Sequence, residues 1–339
     1  MWKESETKEY LFYNNTMKKW MLCLFTLVMS VHFVACSTST ESFNYESANM
    51  QFMKGNYKQA QKYIDKAIKS NSKKAEYLIL AGHIYIELDK CDKAIEYFDS
   101  AIVSDDDRIN LENNKESHRG KGLAYLKIGD CKKAIIEFDE ALNIDVNVPL
   151  DRDILKYKID ALYSDKCYDD AIKLADIYRK NFGNDNDIYI LEGKCYACLK
   201  KENKMKSTFD KVIKNGKVEG YYFLAEGYIQ LDKYKEAVDN YELYLNNASQ
   251  IDENTIRLKI INSLMKIKEY DKALSMAKSN VNSNDVELSK IYRKNVVAIL
   301  EAKNSYDEAY VEAKEYLADY PEDKEMEKEV LFLETRIIK

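Results

Sequence analysis

The sequence contains very little proline or glycine. Only two prolines and ten glycines occur in 339 residues, which argues against collagen-like or Pro/Gly-rich disordered chains and favours long helices. An excess of one charge is also missing, because 52 basic residues accompany 58 acidic ones and the net charge is −6. A mildly acidic chain without a clustered basic block is a poor candidate for phosphate-backbone binding, so we expect no nucleic-acid partner.

Motifs for catalysis and for metal or cofactor binding are missing as well. The chain has only three histidines, and no GxSxG, HExxH, P-loop or GxGxxG string occurs. No set of nucleophile, base and orienting residue stands out from the sequence. We therefore predict that the protein is not an enzyme and that it has no cofactor and no metal site.

A basic pair followed by a short apolar run lies near the N-terminus. Two lysines follow Met17, and the 16 residues at positions 20–35 are largely apolar. This pattern is typical of a secretory signal peptide, and the run is shorter than the ~20 residues that a transmembrane helix needs. The run ends in Phe33-Val34-Ala35-Cys36, which resembles the lipobox of bacterial lipoproteins. In that family a signal peptidase cuts before the cysteine, and the cysteine thiol receives a diacylglycerol.

The resemblance to lipoproteins divides the N-terminal region. Residues 1–16 are interpreted as a disordered upstream mis-start, residues 17–35 as the signal peptide, and residues 36–43 as lipidated Cys36 with a flexible polar tether. The resemblance implies a protein anchored by lipid on the extracytoplasmic face of a membrane in the bacterial cell envelope, since two or more acyl chains make a stable anchor. An uncleaved membrane anchor and a buried helix remain alternatives for the apolar run.

One short phrase recurs along the rest of the chain. "DKCDKAIEYFDSAI" at 89–102 and "GDCKKAIIEFDEAL" at 129–142 share their small, aromatic and charged positions. Alanines in this context lie 34, 40, 37, 66, 36 and 36 residues apart, with Met205 in the alanine position inside the interval of 66. Eight such units with a period near 34 indicate a repeat solenoid, and the insertion at 104–114 is either a loop or an extension of a flanking helix. The alanines are Ala60, Ala94, Ala134, Ala171, Ala237, Ala273 and Ala309.

Each unit is predicted to contain two helices that cross at small residues. In the third unit Gly122 lies in the first predicted helix, and Ala134 and Phe138 both lie in the second. Offsets of 3, 4 and 7 residues place the apolar positions of a helix on one stripe, and small residues at the crossing let the two backbones approach. Gly129 suits the left-handed end of the first helix, and Asp130 suits the N-cap of the second.

On these residues the units resemble tetratricopeptide (TPR) repeats. The resemblance implies an all-α fold, a right-handed superhelical α-solenoid of about eight helix-turn-helix repeats over residues 44–321. Residues 322–339 carry apolar side chains at helical spacing and are predicted to form a C-terminal capping helix. The matching residues are Gly82, Tyr85, Ala94, Phe98 and Ala101 in the second unit, and Gly122, Leu123, Tyr125, Gly129, Ala134, Phe138 and Ala141 in the third.

The TPR resemblance also implies a partner-binding surface. In TPR proteins the first-helix residues that lie off the core stripe line a concave face. The family's carboxylate clamp is not reproduced, because Tyr45 occupies the position of its first lysine. Ordinary solvated surface remains an alternative for each of these residues. By alignment, the candidate partner-binding residues are Tyr45, Asn49, His83, Arg119, Lys156, Asp160, Lys194, Tyr222, Glu226 and Asn262.

The cysteines of the repeats are predicted to pack in the core. Cys91 and Cys131 occupy a position that holds tyrosine in other units. Cys195 and Cys198 form a CxxC inside a predicted helix, where packing is favoured over the two alternatives, a redox-active pair and a metal site.

These observations predict a membrane-anchored, extracytoplasmic TPR scaffold that binds a protein or peptide partner in a bacterial envelope assembly. A preformed curved surface would reduce the ordering cost of binding. A solute-binding lipoprotein that presents glycans or peptides to a transporter is one alternative, and it would require a deep pocket. A cytoplasmic TPR adaptor is another, if the signal peptide is not used.

Overall fold

A computed structural model describes residues 40–247 and 253–337 of the chain. The interpretations of residues 1–16, of the signal peptide and of lipidated Cys36 fall outside these residues. Residues 40–43 are helical, so the first repeat begins four residues before the predicted boundary at 44.

Within the two described ranges the chain forms seventeen α-helices and no strand. The helices are α1 (Thr40–Met53), α2 (Tyr57–Ser70), α3 (Ala75–Glu87), α4 (Cys91–Ala101), α5 (Arg108–Lys127), α6 (Cys131–Asn143), α7 (Val148–Ser164), α8 (Tyr168–Phe182), α9 (Asn186–Cys198), α10 (Glu202–Lys214), α11 (Glu219–Gln230), α12 (Tyr234–Asn247), α13 (Glu253–Lys266), α14 (Tyr270–Lys278), α15 (Val286–Ala302), α16 (Tyr306–Asp319) and α17 (Lys324–Ile337).

The helices follow the predicted repeat pattern. Each odd-numbered helix from α1 to α15 is the first helix of a repeat, and the following even-numbered helix is the second, which gives eight hairpins and leaves α17 as the additional C-terminal helix. The predicted all-α repeat fold is therefore confirmed, while the handedness of the superhelix stays a prediction. The described residues fall into two compact units, unit 1 up to Ala161 and unit 2 from Leu162.

The helix crossings use the small residues that the sequence indicated. A Cβ atom added to Gly82 would lie 2.5 Å from the Phe98 ring, and one added to Gly122 would lie 2.4 Å from the Phe138 ring. Real Cβ atoms do not approach other atoms so closely, so only glycine permits this spacing of the helices. Phe98 and Phe138 are fully buried, which confirms that the aromatic residue fills the groove beside the small one.

In two repeats of unit 2 the bulky residue of the crossing lies on the first helix and the small residue on the second. This is the reverse of the crossings of Gly82 with Phe98 and of Gly122 with Phe138. The position sixteen residues before the second-helix aromatic holds Ile261 in α13 and Val297 in α15, and the aromatic positions themselves hold Ala277 and Ala313. All four side chains are buried in one core cluster. The bulky residue has therefore moved from the second helix to the first, and the combined volume at the crossing is roughly conserved.

The turn inside every hairpin contains one residue in the left-handed region. These residues have φ between 54° and 84°, and only two of the eight are glycine. In the third repeat the turn residue is Gly129, and Asp130 Oδ1 then accepts a hydrogen bond from Lys133 N at 3.2 Å, as the sequence predicts for an N-cap. The eight residues are Gly55, Asp89, Gly129, Lys166, Lys200, Asp232, Lys268 and Asn304.

The insertion at 104–114 lengthens a helix. Its second half forms the N-terminal part of α5, which has 20 residues. The Asn114 side chain fixes the preceding loop, because Nδ2 donates to Val103 O at 2.7 Å and Oδ1 accepts from Val103 N at 2.9 Å. The neighbouring Lys115 is buried and donates to Ile144 O at 2.8 Å, so the extension is attached to unit 1 at two points.

The C-terminal helix covers the last hairpin, as predicted. Met326, Val330 and Leu333 of α17 are buried against the core of unit 2. Asp323 caps the helix, since its Oδ1 accepts from Glu325 N and Met326 N, each at 3.1 Å, and its Oδ2 accepts from Tyr316 OH at 2.7 Å. The helix thus covers apolar surface that the next repeat covers in the interior of a solenoid.

Candidate functional site

The candidate partner-binding residues lie on the first helices of the repeats, and we call the surface that these helices form in each unit its first-helix face. Unit 1 contributes the candidates on α1, α3, α5 and α7, and unit 2 contributes those on α9, α11 and α13. Asn49, His83 and Arg119 are buried, and Asn262 is exposed. The half-buried candidates are Tyr45, Lys156, Asp160, Lys194, Tyr222 and Glu226.

Two candidates of unit 1 belong to one polar network. His83 Nε2 lies 2.9 Å from Glu116 Oε1, and Arg119 Nη1 donates to the same oxygen at 2.8 Å. Arg119 Nε also donates to Asp153 Oδ2 at 2.7 Å. The network joins α3, α5 and α7, and the guanidinium carbon lies 5.7 Å from the centre of the Tyr157 ring.

The charged side chains of this network are paired with side chains of opposite charge. Burial raises the pKa of Glu116, but the Arg119 charge and the hydrogen bond with His83 outweigh burial, so the pKa lies below its usual value. Burial lowers the pKa of Arg119, and the charges of Asp153 and Glu116 more than compensate. Arg119 is therefore held as a cation between two carboxylates, and His83 and Arg119 support neighbouring repeats without presenting a free charge to a partner.

Tyr45 and Asn49 lie one helical turn apart at the beginning of the first-helix face. The Tyr45 ring stacks on Tyr77 with ring centres 4.9 Å apart. Burial and the nearby charge of Glu76 raise the pKa of Tyr45 to about 12, so its hydroxyl is neutral and can donate or accept a hydrogen bond. Asn49 is 6% exposed, and its Oδ1 has no hydrogen-bond partner among the described residues. A buried amide oxygen without a donor is uncommon in folded proteins.

The candidates of unit 2 lie among aromatic rings. The Lys194 ammonium is 5.0 Å from the centre of the Phe223 ring and 5.9 Å from that of Tyr163. Tyr222 has its ring centre 5.3 Å from that of Phe223 and 5.5 Å from that of Tyr244. This part of the first-helix face therefore combines a cation with partly exposed aromatic surface.

Glu226 is joined to the next repeat. Lys259 Nζ donates to Glu226 Oε1 at 2.7 Å, and the Tyr241 hydroxyl donates to the same carboxylate. Lys259 also lies 5.6 Å from the centre of the Tyr222 ring. The structure thus brings Tyr222 and Glu226 together through Lys259, whereas Asn262 forms no hydrogen bond with either of them within residues 40–247 and 253–337.

Three residues of these networks were not predicted from the sequence, namely Glu116, Asp153 and Lys259. A signal for them is present, because each stands about one repeat period from the residue it binds. His83 and Glu116 are 33 residues apart, Arg119 and Asp153 are 34 apart, and Glu226 and Lys259 are 33 apart. A search for opposite charges at the repeat period would have found these pairs.

A small cleft lies between α15 and α17 of unit 2. Its volume is about 190 Å³, below the ~300–1,000 Å³ of clefts that hold small ligands. The cleft therefore gives no support to a solute-binding function. Its lining residues are Lys294, Val297, Ala298, Glu301, Glu325, Met326 and Glu329.

The cysteines of the repeats lie in packed environments. Cys91 and Cys195 are buried, and Cys131 and Cys198 are half-buried, all as free thiols. The Cys198 thiol donates to Gln230 Oε1 at 3.4 Å. In residues 40–247 and 253–337 no group of three or more His, Cys, Asp or Glu side chains could hold a metal ion. No helix in these residues has the length and apolar character that crossing a membrane requires.

The described residues define a class of protein, a stack of helical hairpins with a covering C-terminal helix. Family models agree: the model for "Anaphase-promoting complex, cyclosome, subunit 3" matches residues 31–101 and 164–244, and the tetratricopeptide repeat model matches residues 80–145. The chain is a tetratricopeptide repeat protein. Proteins built from such stacked repeats use their extended surfaces for binding.

A solved structure has the same fold. A tetratricopeptide repeat protein from Parabacteroides merdae superposes with a TM-score of 0.57 at 13% identity, covering 77% of this chain and 99% of that one. The C-terminal part of a TPR repeat-containing protein from Cytophaga hutchinsonii gives a TM-score of 0.47 at 17% identity, covering 75% of this chain and 95% of that one. No curated protein matches the sequence.

Proposed function

We propose that the chain is a lipid-anchored, extracytoplasmic scaffold that binds a protein or peptide partner of a bacterial envelope assembly through its first-helix face. The signal-like segment at 17–35 and the small residue before Cys36 support the anchor and the location. The repeat fold and the composition of the first-helix face support partner binding. The proposed role includes no catalytic step.

The observation that carries the binding proposal is the unpartnered oxygen of Asn49. An unsatisfied buried acceptor costs roughly 1–3 kcal/mol, and a donor from a partner would recover that free energy. Tyr45, one turn earlier on the same helix, provides an aromatic surface beside the amide. A backbone N–H of an extended or helical peptide has the required chemistry. The networks of His83 and Arg119 keep the neighbouring helices in place, so little ordering is needed on the scaffold side.

The binding proposal is tested with a photo-crosslinking residue in the full chain, in native membranes. Placed at Tyr45 or at Tyr222, it should capture the same partner, whereas placed at Ile136, which is 57% exposed on the second helix α6, it should not. Capture from Ile136 with equal yield would contradict the assignment of the first-helix face.

A matched substitution separates binding from folding. Asn49→Leu removes the unpartnered oxygen at similar volume, so the thermal midpoint should stay the same or rise while capture from Tyr45 falls. Unchanged capture by the folded N49L chain would show that the Asn49 amide does not contact the partner.

The anchor is tested separately by mass spectrometry of the mature N-terminus from native membranes. A peptide that begins with diacylated Cys36 is the expected result. An intact residue 1 or residue 17 would contradict the anchor and would favour a cytoplasmic adaptor.

A further inference from the structure

Lys194 of α9 is a half-buried cation without a counter-charge. It forms no ion pair and no hydrogen bond with any residue of the ranges 40–247 and 253–337. The other arginines and lysines on α9, α11, α13 and α15 differ from it, because Lys266 is exposed in the last turn of α13 and the rest form ion pairs. The paired residues are Arg257, Lys259, Lys290, Arg293 and Lys294.

The carboxylates closest in sequence to this place have other roles. Glu192, two residues before Lys194, accepts a hydrogen bond from Arg179 Nη1 at 2.6 Å. Glu226, one turn after Phe223 on α11, accepts from Lys259. Glu219, one turn before Phe223, is not paired with Lys194 either. Burial thus removes part of the hydration of the Lys194 ammonium, and no described carboxylate replaces that hydration.

Aromatic rings hold the Lys194 ammonium in place. It lies 5.0 Å from the centre of the Phe223 ring, and the Phe223 ring stacks on the fully buried Phe209 at 6.3 Å with an angle of 16° between the rings. On the other side of Phe223 the Tyr222 ring meets it edge to face, with ring centres 5.3 Å apart. The rings attract the cation but carry no net charge, so the ammonium is positioned without being neutralised.

We propose that Lys194 is the subsite for an acidic side chain of the partner, and that the rings of Phe223 and Tyr222 take the apolar residue beside that acid. This inference deepens the proposed function and rests on it. A lysine ammonium is a point charge that suits a single carboxylate, whereas recognition of phosphate in proteins commonly uses arginine or several donors. Because the rings fix the ammonium before binding, little ordering is needed when the acid arrives.

Selection from a displayed library of random linear peptides on the purified full chain measures this preference. The wild type should enrich peptides in which Asp or Glu stands beside an apolar residue. Lys194→Glu should enrich Lys or Arg instead, because the charge of the subsite is reversed. Lys204→Glu is the matched control and should keep the wild-type preference, since the Lys204 ammonium lies 5.5 Å from the centre of the Tyr196 ring but is exposed on the second helix α10.

A double-mutant cycle then tests whether Lys194 itself contacts the acid. The most enriched peptide, and the same peptide with glutamine or asparagine in place of the acid, are titrated by fluorescence anisotropy into the wild type and into Lys194→Met, which keeps an unbranched apolar side chain without the charge. The wild type should bind the acidic form about fivefold more tightly than the amide form, and K194M should bind the two forms equally. Equal thermal midpoints verify that the variants are folded.

The outcomes distinguish the subsite from the binding function as a whole. An acid preference that persists in K194M or disappears in K204E overturns the subsite and leaves peptide binding intact, and so do enriched peptides that lack an acidic residue. If the folded wild type enriches no peptide, both the subsite and peptide binding are overturned. Tighter binding of a uronic-acid oligosaccharide than of the acidic peptide would assign Lys194 to an acidic glycan, which also overturns the proposal.

Discussion

The contact between α17 and the last hairpin is expected to weaken as the pH rises. One carboxyl oxygen of Glu301 is buried without a partner, and the carboxyl group faces Glu329 of α17 across the small cleft. Burial, a hydrogen bond with Glu329 and the Glu329 charge raise the pKa of Glu301 from 4.5 to about 7. Such a hydrogen bond between two carboxyl groups requires one of them to be protonated.

The direction of the pH effect on stability follows from the raised pKa of Glu301. The folded state holds the proton more tightly than the unfolded state, so this stabilisation is complete below pH 4.5 and is lost as the pH rises through about 7. The full shift would correspond to roughly 3 kcal/mol, but Glu301 is partly exposed and solvent screening reduces the effect to about 1 kcal/mol. A change of that size makes local opening of α17 about fivefold more frequent.

Hydrogen exchange of peptides from α17, corrected for the intrinsic pH dependence of exchange, measures this opening at about pH 4 and about pH 8. The corrected protection should fall about fivefold in the wild type, and the difference should disappear in Glu301→Gln, which removes the titrating carboxyl group. Glu325→Gln is the control, because Glu325 lies on the same helix with a side chain that is 91% exposed. Equal protection at both pH values in the wild type, or a pH effect that persists in E301Q, would refute the reasoning.

Three further predictions concern the hairpins. Ala277→Phe should destabilise the chain by about 2 kcal/mol through overpacking, and adding Ile261→Gly should restore part of the loss. A double-mutant cycle in urea would detect this as coupling between the two positions, whereas additive losses would contradict the reversed crossing. Lys268→Gly should stabilise by about 0.5 kcal/mol, because glycine adopts φ of 61° without steric cost, and a lower thermal midpoint would contradict this. Arg119→Met should cost about 2 kcal/mol by leaving Asp153 without its cation and Glu116 with His83 alone, and an unchanged urea midpoint would show that the network contributes no stability.

The repeat fold could be predicted from the sequence because it depends on short-range patterns. The pairs Gly122 with Phe138 and Gly82 with Phe98 each encode a helix crossing within one hairpin, and the turn after Gly129 has its N-cap in the next residue. These features involve residues close in sequence, where helical periodicity and capping rules apply directly.

The networks on the first-helix face depend on contacts between repeats and were harder to predict. Alignment assigned Arg119 to the first helix of its repeat, but alignment alone did not show that Glu116 and Asp153 neutralise it. The orphaned oxygen of Asn49 could not be predicted, because the absence of a partner is a property of the packed structure. The insertion at 104–114 was ambiguous for the same reason, since its helical form is fixed by contacts such as the one between Lys115 and Ile144 O.

The reversed crossings of the seventh and eighth repeats have a consequence for how such a chain can grow. The large and the small residue of each crossing lie in the same hairpin, as Ile261 and Ala277 do, and Val297 and Ala313. A duplicated gene segment therefore encodes a matched pair only if it encodes both helices. Half-hairpin recombination would join two bulky residues or two small ones. The complete hairpin is therefore the smallest piece of this chain that duplication can copy without leaving a clash or a void.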